Sequence, residues 1–348
     1  MIIEYSLVIF RLLYLLVVKV DMKLRTEIEI EKHNFRINHF DTILTIGSCF
    51  AENIAEYFRT YRFNILGNPF GVLYNPISIY NSLKLTTEKK IFTESDLINN
   101  QGEWHSFYHH SDFSSDNISL VLKKINDGII QTNEFLKSAE LIIITFGTSY
   151  VYRHLPNNII VSNCHKIPQK EFEHFRLSIH ETEESILKTI EIIEKLNRKA
   201  KIILTVSPVR HWKDGAHNNQ LSKSNLLLAI NNIVNSKNNC SYFPAYEILM
   251  DDLRDYRFYK EDLIHPNKIA TDYIWDKFSK SFFTDECKQT IQEVSKTVAG
   301  RNHRVRNPFS SENQKFVISM IKHIEALQVK YKHLVLDDDL QYFNSKLI

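Results

Sequence analysis

The chain has 348 residues, 43% hydrophobic and 24% charged, a globular composition with room for one large domain or a domain with an appendage. Its 43 Lys and Arg nearly balance 41 Asp and Glu, so the net charge of +2 gives no reason to expect a nucleic-acid partner. The four cysteines (Cys49, Cys164, Cys240 and Cys287) are scattered and form no C-x-x-C pair, which argues against a disulfide framework or a zinc site. A reducing, cytoplasmic setting is the expectation.

Residues 1–21 contain "YSLVIFRLLYLLVV", an apolar stretch that Arg11 interrupts and that is short for a membrane span. No basic start and small-residue cleavage site mark it as a signal peptide. Translation is expected to begin at Met22, where "KLRTEIEI" reads as the start of a soluble chain. The alternative is a membrane anchor, the only route to a membrane partner.

From there, short apolar runs alternate with helical patterns. "TILTI" (42–46) leads into "FAENIAEYFRTY", with Ile54 and Phe58 at helical spacing. "ELIIITFG" (140–147) is a continuous apolar run ending at glycine, as expected of a strand buried on both faces. "YVYRHLPNNIIVSNCHKIP" (150–168) reads as a hairpin turning at Pro156-Asn157-Asn158. "TEESILKTIEIIEKLN" carries Ile186, Leu187, Ile190, Ile193 and Leu196 on one stripe. "KIILTVSP" (201–208) is the next buried strand, and "SKSNLLLAINNIV" and "NKIATDYIWDKF" read as helices. This order predicts a mostly parallel sheet with helices on both faces, a three-layer α/β/α sandwich. The tail after about residue 284 reads as two further helices joined by basic "GRNHRVRNP". The expected organisation is an N-terminal extension (1–21), an α/β domain (22–284) and a helical appendage (285–348).

Two places hold chemistry-bearing residues. At the first, the strand ends at Gly47, and Ser48 and Cys49 follow where a helix begins. Free N–H groups and the helix dipole favour negative charge there, which suits a thiolate or an oxyanion. Taken alone, a small residue after a strand is more often a turn or an N-cap. At the second, "YKEDLIHPNKIATDYIW" puts Asp262 three residues before His265, with Pro266 next. Proline disfavours helix at His265 and suits the first turn of the helix that follows, so the pair sits on a short loop. A carboxylate-oriented imidazole is the base that a serine or cysteine nucleophile needs. The plain alternative is that Asp262 caps a turn and His265 is a surface residue.

"GSCFA" itself, "NPFGVLYNP", "WHSFYHHSDFS", "FGTSYVY", "NCHKIP", "TVSPVRHWKDG" and "YFPAYEILMDDLRDYRFYKEDLIHP" together resemble the GSCFA domain family over roughly residues 40–285. That family is placed in the SGNH-hydrolase superfamily of esterases and acyl-modifying enzymes. The resemblance implies a flavodoxin-like sheet with a hydrolase site at its strand ends. Asp262 and His265 match the superfamily's last block. Aligned on Gly47, Cys49 falls on the nucleophile and Ser48 on the position usually held by Asp, so Cys49 is the first candidate and Ser48 the second. Gly71 matches the oxyanion-hole glycine of the second block. The third block departs from the pattern: Gly147-Thr148-Ser149 lacks its asparagine, and Asn75 or Asn163 is left to supply an amide.

His105, His109, His110, His165 and His211 fit no metal-ligand spacing and read as hydrogen-bonded loop histidines. Arg210, His211 and Lys213 would face an anionic or sugar-like substrate, or solvent. Trp104, Phe107 and Tyr108 would stack on a sugar ring or anchor their loop. The expected function is hydrolysis or transfer of an ester-linked acyl group, on a small-molecule or carbohydrate ester, without a cofactor. The alternative is an inactive binding module for a glycan or peptide.

Overall fold

The computed structural model describes residues 25–30, 33 and 35–348. The expectations for residues 1–21 and for a start at Met22 lie outside these residues. Among them, no helix is long and apolar enough to cross a membrane.

Five parallel strands form the central sheet: β1 (Thr42–Gly47), β2 (Asn64–Gly67), β5 (Leu141–Phe146), β9 (Lys201–Val206) and β10 (Cys240–Phe243), in the order β10-β9-β5-β1-β2. All four pairings are parallel and regular, for example Leu44 opposite Ile142 and Ile142 opposite Ile202. The order reverses between β1 and β5. In open α/β sheets the crevice beyond the carboxyl ends at that reversal is where ligands bind.

Strand residues alternate between two cores, as period-2 geometry requires. Leu44, Ile46, Ile142, Ile144, Ile202 and Leu204 face one layer: α2 (Pro76–Thr87), α3 (Ile118–Ser138), α4 (Ile179–Leu196) and α5 (Ala216–Ser236). Ile43, Leu141, Ile143 and Ile203 face the other, built from α1 (Cys49–Thr60) and α6 (Lys268–Phe282). The fold is thus the expected three-layer α/β/α arrangement. Each fully buried Ile or Leu contributes roughly 1.5–3 kcal/mol relative to exposure, which explains why the central strand tolerates no polar side chain before Thr145.

The helix starts follow local rules. Ser48 caps α1, Asn75 caps α2 with Pro76 in the first turn, and Asn267 caps α6 just after Pro266. Ser178 and Glu181 form a reciprocal capping box on α4.

The expected hairpin is present as β6 (Tyr150–His154) and β7 (Ile159–Val161), and β8 (Phe172–Arg176) pairs antiparallel with β6 to make a second small sheet. The aromatic segment read as a loop starts with a short strand, β4 (Glu103–His105), paired antiparallel with β3 (Ile98–Asn100) just before it.

The tail forms α7 (Asp285–Asn302), α8 (Ser311–Lys330) and a further short helix, α9 (Asp337–Asn344). These have their own core of Val294, Val317, Met320, Ile324, Leu327, Leu336 and Phe343. The buried Asp339 joins this core to the sheet domain, with ion pairs of 2.7 Å to Arg62 and 2.8 Å to Arg301. Burial alone would raise its pKa, but the two guanidiniums hold it below the usual carboxylate range.

Candidate functional site at the carboxyl ends of the sheet

Gly47 makes the turn from β1 into α1 with φ +141°, and a Cβ there would lie 2.1 Å from the Thr145 carbonyl oxygen of the neighbouring strand. Only glycine fits. The Ser48 N–H then donates to that same Thr145 oxygen, and the Ser48 Oγ accepts from the Phe50 N–H at 3.3 Å. Ser48 is 1% exposed and spends its hydroxyl on the cap. Cys49, the first helical residue, is half-buried and lines a cavity of about 650 Å³. The two adjacent candidates are thereby separated: one caps the helix and the other faces the cavity.

The same cavity is lined by Tyr74, Asn75, Thr148, Asn163, His211 and His265. Together with Cys49 after β1, these residues come from the segments after β2, β5, β7, β9 and β10. The two distant stretches around Gly47 and Asp262 thus meet at one end of the sheet. Asp262 and His265 form the expected pair: His265 Nδ1 lies 2.7 Å from Asp262 Oδ2, while Asp262 Oδ1 accepts from the N–H groups of Ile264 and His265 at 2.9 Å each. Those N–H donors, with the imidazole, pull the Asp262 pKa down to about 2. Leu263, with φ +59°, makes the tight turn between them. No hydrogen bond joins Cys49 Sγ to the His265 ring among the described residues.

The thiol pKa of Cys49 departs from the expectation that a helix N-terminus would lower it. Burial raises the thiol pKa above its ordinary value, and this outweighs the opposing effects of Lys223 and of the Phe50 and Cys49 N–H groups. His211, packed edge-on against Tyr74 at 5.6 Å between ring centroids, is pushed down to about 4 by burial, then by Lys223 and His265. It is a neutral imidazole at physiological pH.

Hydrogen bonding distinguishes the other candidates. The Gly71 N–H donates to Asn68 O at 2.8 Å, and a Cβ on Gly71 would lie 2.3 Å from His110 Cβ, so this glycine packs behind the cavity. Ser149 is fully buried, with its N–H and Oγ bonded to Ser222. The Gly147 and Thr148 N–H groups both donate to Tyr74 O. Two amides remain in the cavity. Asn75 Oδ1 caps Ser78 N at 2.8 Å and Asn163 Oδ1 accepts from His165 N at 2.9 Å, which leaves each Nδ2 without a partner among the described residues. The Cys49 N–H likewise has no backbone acceptor among them.

The other loop histidines each have a ring nitrogen near a polar neighbour: His105 Nδ1 and Ser114 Oγ (2.7 Å), His109 Nδ1 and Ser106 Oγ (2.9 Å), His165 Nε2 and Ser106 O (2.8 Å), and His110 Nδ1, on the cavity wall, and Asp112 Oδ2 (3.0 Å); His165 Nδ1 is buried without a hydrogen-bond partner among the described residues. No group of three or more His, Cys, Asp or Glu among the described residues is arranged to hold a metal ion. Trp104 and Tyr108 pack on the core around Val121 and Ile125, and Phe107 on the one around Val161 and Phe172.

One site residue was missed by sequence reasoning. Lys223, on α5, is fully buried, and its Nζ donates to Gly147 O at 2.6 Å and Ser207 O at 2.8 Å. It ties together the carboxyl ends of β5 and β9 beside the cavity. Burial pushes its pKa down to about 7, with the field of Cys49 working against that shift. The available signal was its phase: Lys223 lies on the buried stripe Asn219, Leu226, Ile230 and Ile233.

No curated protein matches the chain. The C-terminal domain of GSCFA domain proteins matches residues 294–348, covering most of the helical tail. The GSCFA family matches residues 42–278, from the first residue of β1 into α6, and so contains every residue that lines the cavity. The chain belongs to the GSCFA family.

Proposed function

We propose that the cavity carries out acyl chemistry of the SGNH-hydrolase type, with Cys49 as nucleophile and the Asp262–His265 pair as its oriented base. The observation that carries this reading is the shared cavity: a half-buried thiol at a helix N-terminus and a carboxylate-bound imidazole line one space of about 650 Å³. In this mechanism His265 Nε2 takes the thiol proton as Cys49 Sγ attacks the ester carbonyl, and returns it to the departing alkoxide. Asp262 accepts from Nδ1–H and so presents the unprotonated Nε2 to the cavity. Burial raises the resting thiol's pKa, so the reaction depends on His265 to take the proton. The Cys49 N–H and the Nδ2–H groups of Asn75 and Asn163 are the unused donors for the oxyanion, replacing the missing third-block asparagine. Neutral His211 adds a further polar group on the same wall. Water or a second alcohol then accepts the acyl group.

Cys49→Ala and His265→Ala should each abolish turnover of an activated acyl ester while leaving the circular dichroism spectrum and melting temperature near those of wild type. Hydrolysis that persists unchanged in both variants would overturn the mechanism. A folded wild-type chain that binds glycans or peptides and turns over no ester would favour a binding module instead.

A further inference from the structure

We infer that Arg210 is a carboxylate-binding subsite of the Cys49 cavity, so that the acyl compound handled there carries a negative charge. That the bound molecule is an acyl compound rests on the function proposed above; the anion site itself does not. Arg210 follows β9 and lines both the Cys49 cavity and a neighbouring one of about 480 Å³. Its guanidinium carbon lies 4.8 Å from the centre of the Trp212 ring, while its Nε is buried with no hydrogen-bond partner. A guanidinium is always charged, and a buried donor without an acceptor is costly.

Each carboxylate lining the two cavities is engaged elsewhere. Asp262 is held by His265 and two backbone N–H groups. Asp255 accepts from the Arg257 N–H and pairs with the Arg257 guanidinium at 3.1 Å. Asp214 faces His174 at 3.7 Å. Arg210 forms no ion pair among the described residues, and its uncompensated charge reaches its neighbours: it opposes protonation of Lys223 and favours ionisation of Tyr246 and Tyr259. Lys213, on the same wall, donates to the Tyr152 hydroxyl at 2.8 Å and adds a second positive charge. The guanidinium lies over an indole on a side chain that lines both cavities, and its terminal N–H groups, without a protein acceptor among the described residues, match the two oxygens of a carboxylate. One fork serves a carboxylate more fully than a phosphoryl group, which needs additional donors.

The test is calorimetric titration of the full chain with succinate, succinamide and inorganic phosphate at matched ionic strength. Wild type and Cys49→Ala should both bind succinate in preference to succinamide, because binding does not require the nucleophile. Arg210→Gln should bind succinate about tenfold to a hundredfold more weakly, and Arg210→Lys should retain part of the affinity. Equal affinity of wild type for succinate and succinamide, or of wild type and Arg210→Gln for succinate, would overturn the inference. Phosphate bound more tightly than succinate, and lost in Arg210→Gln, would overturn the carboxylate assignment. If Arg210→Gln does not fold, the wild-type comparison and Arg210→Lys decide. Failure of ester turnover leaves these titrations unaffected, so the two proposals fail separately.

Discussion

Replacing Lys223 with Met tests whether a buried ammonium supports the site. The ammonium has no exposed surface and only two carbonyl oxygens as hydrogen-bond partners, at 2.6 and 2.8 Å. Its pKa of about 7 in the folded protein compares with about 10.4 in an unfolded chain. Between those values the unfolded chain holds more protons, so unfolding takes up a proton and stability rises with pH. Below about pH 7 the folded state bears the full cost of the buried charge, on the order of 3–5 kcal/mol. Above about pH 10 that cost is gone. The Met variant removes the titration and strands two carbonyls, at roughly 1–3 kcal/mol each. The difference in stability between wild type and Lys223→Met should therefore shift toward wild type by at least about 2 kcal/mol as the pH rises from about 6.5 to 9.5. Urea unfolding followed by circular dichroism measures it, with both proteins carrying Cys49→Ala so that the thiol does not titrate. A difference that stays constant within about 0.5 kcal/mol over that range would refute a cation whose pKa burial has lowered.

Ser48→Ala should cost about 1 kcal/mol of stability by removing the α1 cap, yet leave ester turnover within a fewfold of wild type; loss of turnover in a folded Ser48→Ala variant would make Ser48 the nucleophile. Gly47→Ala should prevent native folding, because a Cβ would meet the Thr145 carbonyl at 2.1 Å; a folded variant with a native melting temperature would contradict that packing. Alkylation of Cys49 by iodoacetamide, followed by mass spectrometry, should keep accelerating above the ordinary thiol pKa of about 8.5, since burial raises this thiol. A plateau reached below pH 8 would show a thiolate at rest.

The elements legible in the sequence are those whose information is local. β1, β5 and β9 announce themselves as apolar runs because both faces of a central parallel strand are covered. The hairpin turn at Pro156-Asn157-Asn158 and the α4 stripe follow from turn chemistry and helical period. The Asp262–His265 contact was legible for the same reason, since three residues of chain on a tight turn hold both partners. α2, α3, β8 and β10 were not read as elements. β10 is four residues long, and α2 has polar Ser78, Ser82 and Thr86 among its buried positions, so neither carries a clear apolar pattern.

Proximity across the chain was decided only by the tertiary structure. Cys49 and His265 line one cavity because the loops after β1 and β10 both emerge at the carboxyl end of a parallel sheet. Ser48 and Cys49 are neighbours in sequence, but the turn at Gly47 assigns one to the helix cap and the other to the cavity. Gly71 matched a position in a pattern and Ser149 stood in for a missing one, yet their polar groups are occupied by Asn68 and Ser222. Lys223 and Arg210 look in sequence like ordinary helix and loop cations. Burial beside the strand ends sets their energetics, and burial depends on which distant surfaces close over a side chain. Sequence periodicity encodes which face a residue takes; it does not encode what lies opposite that face.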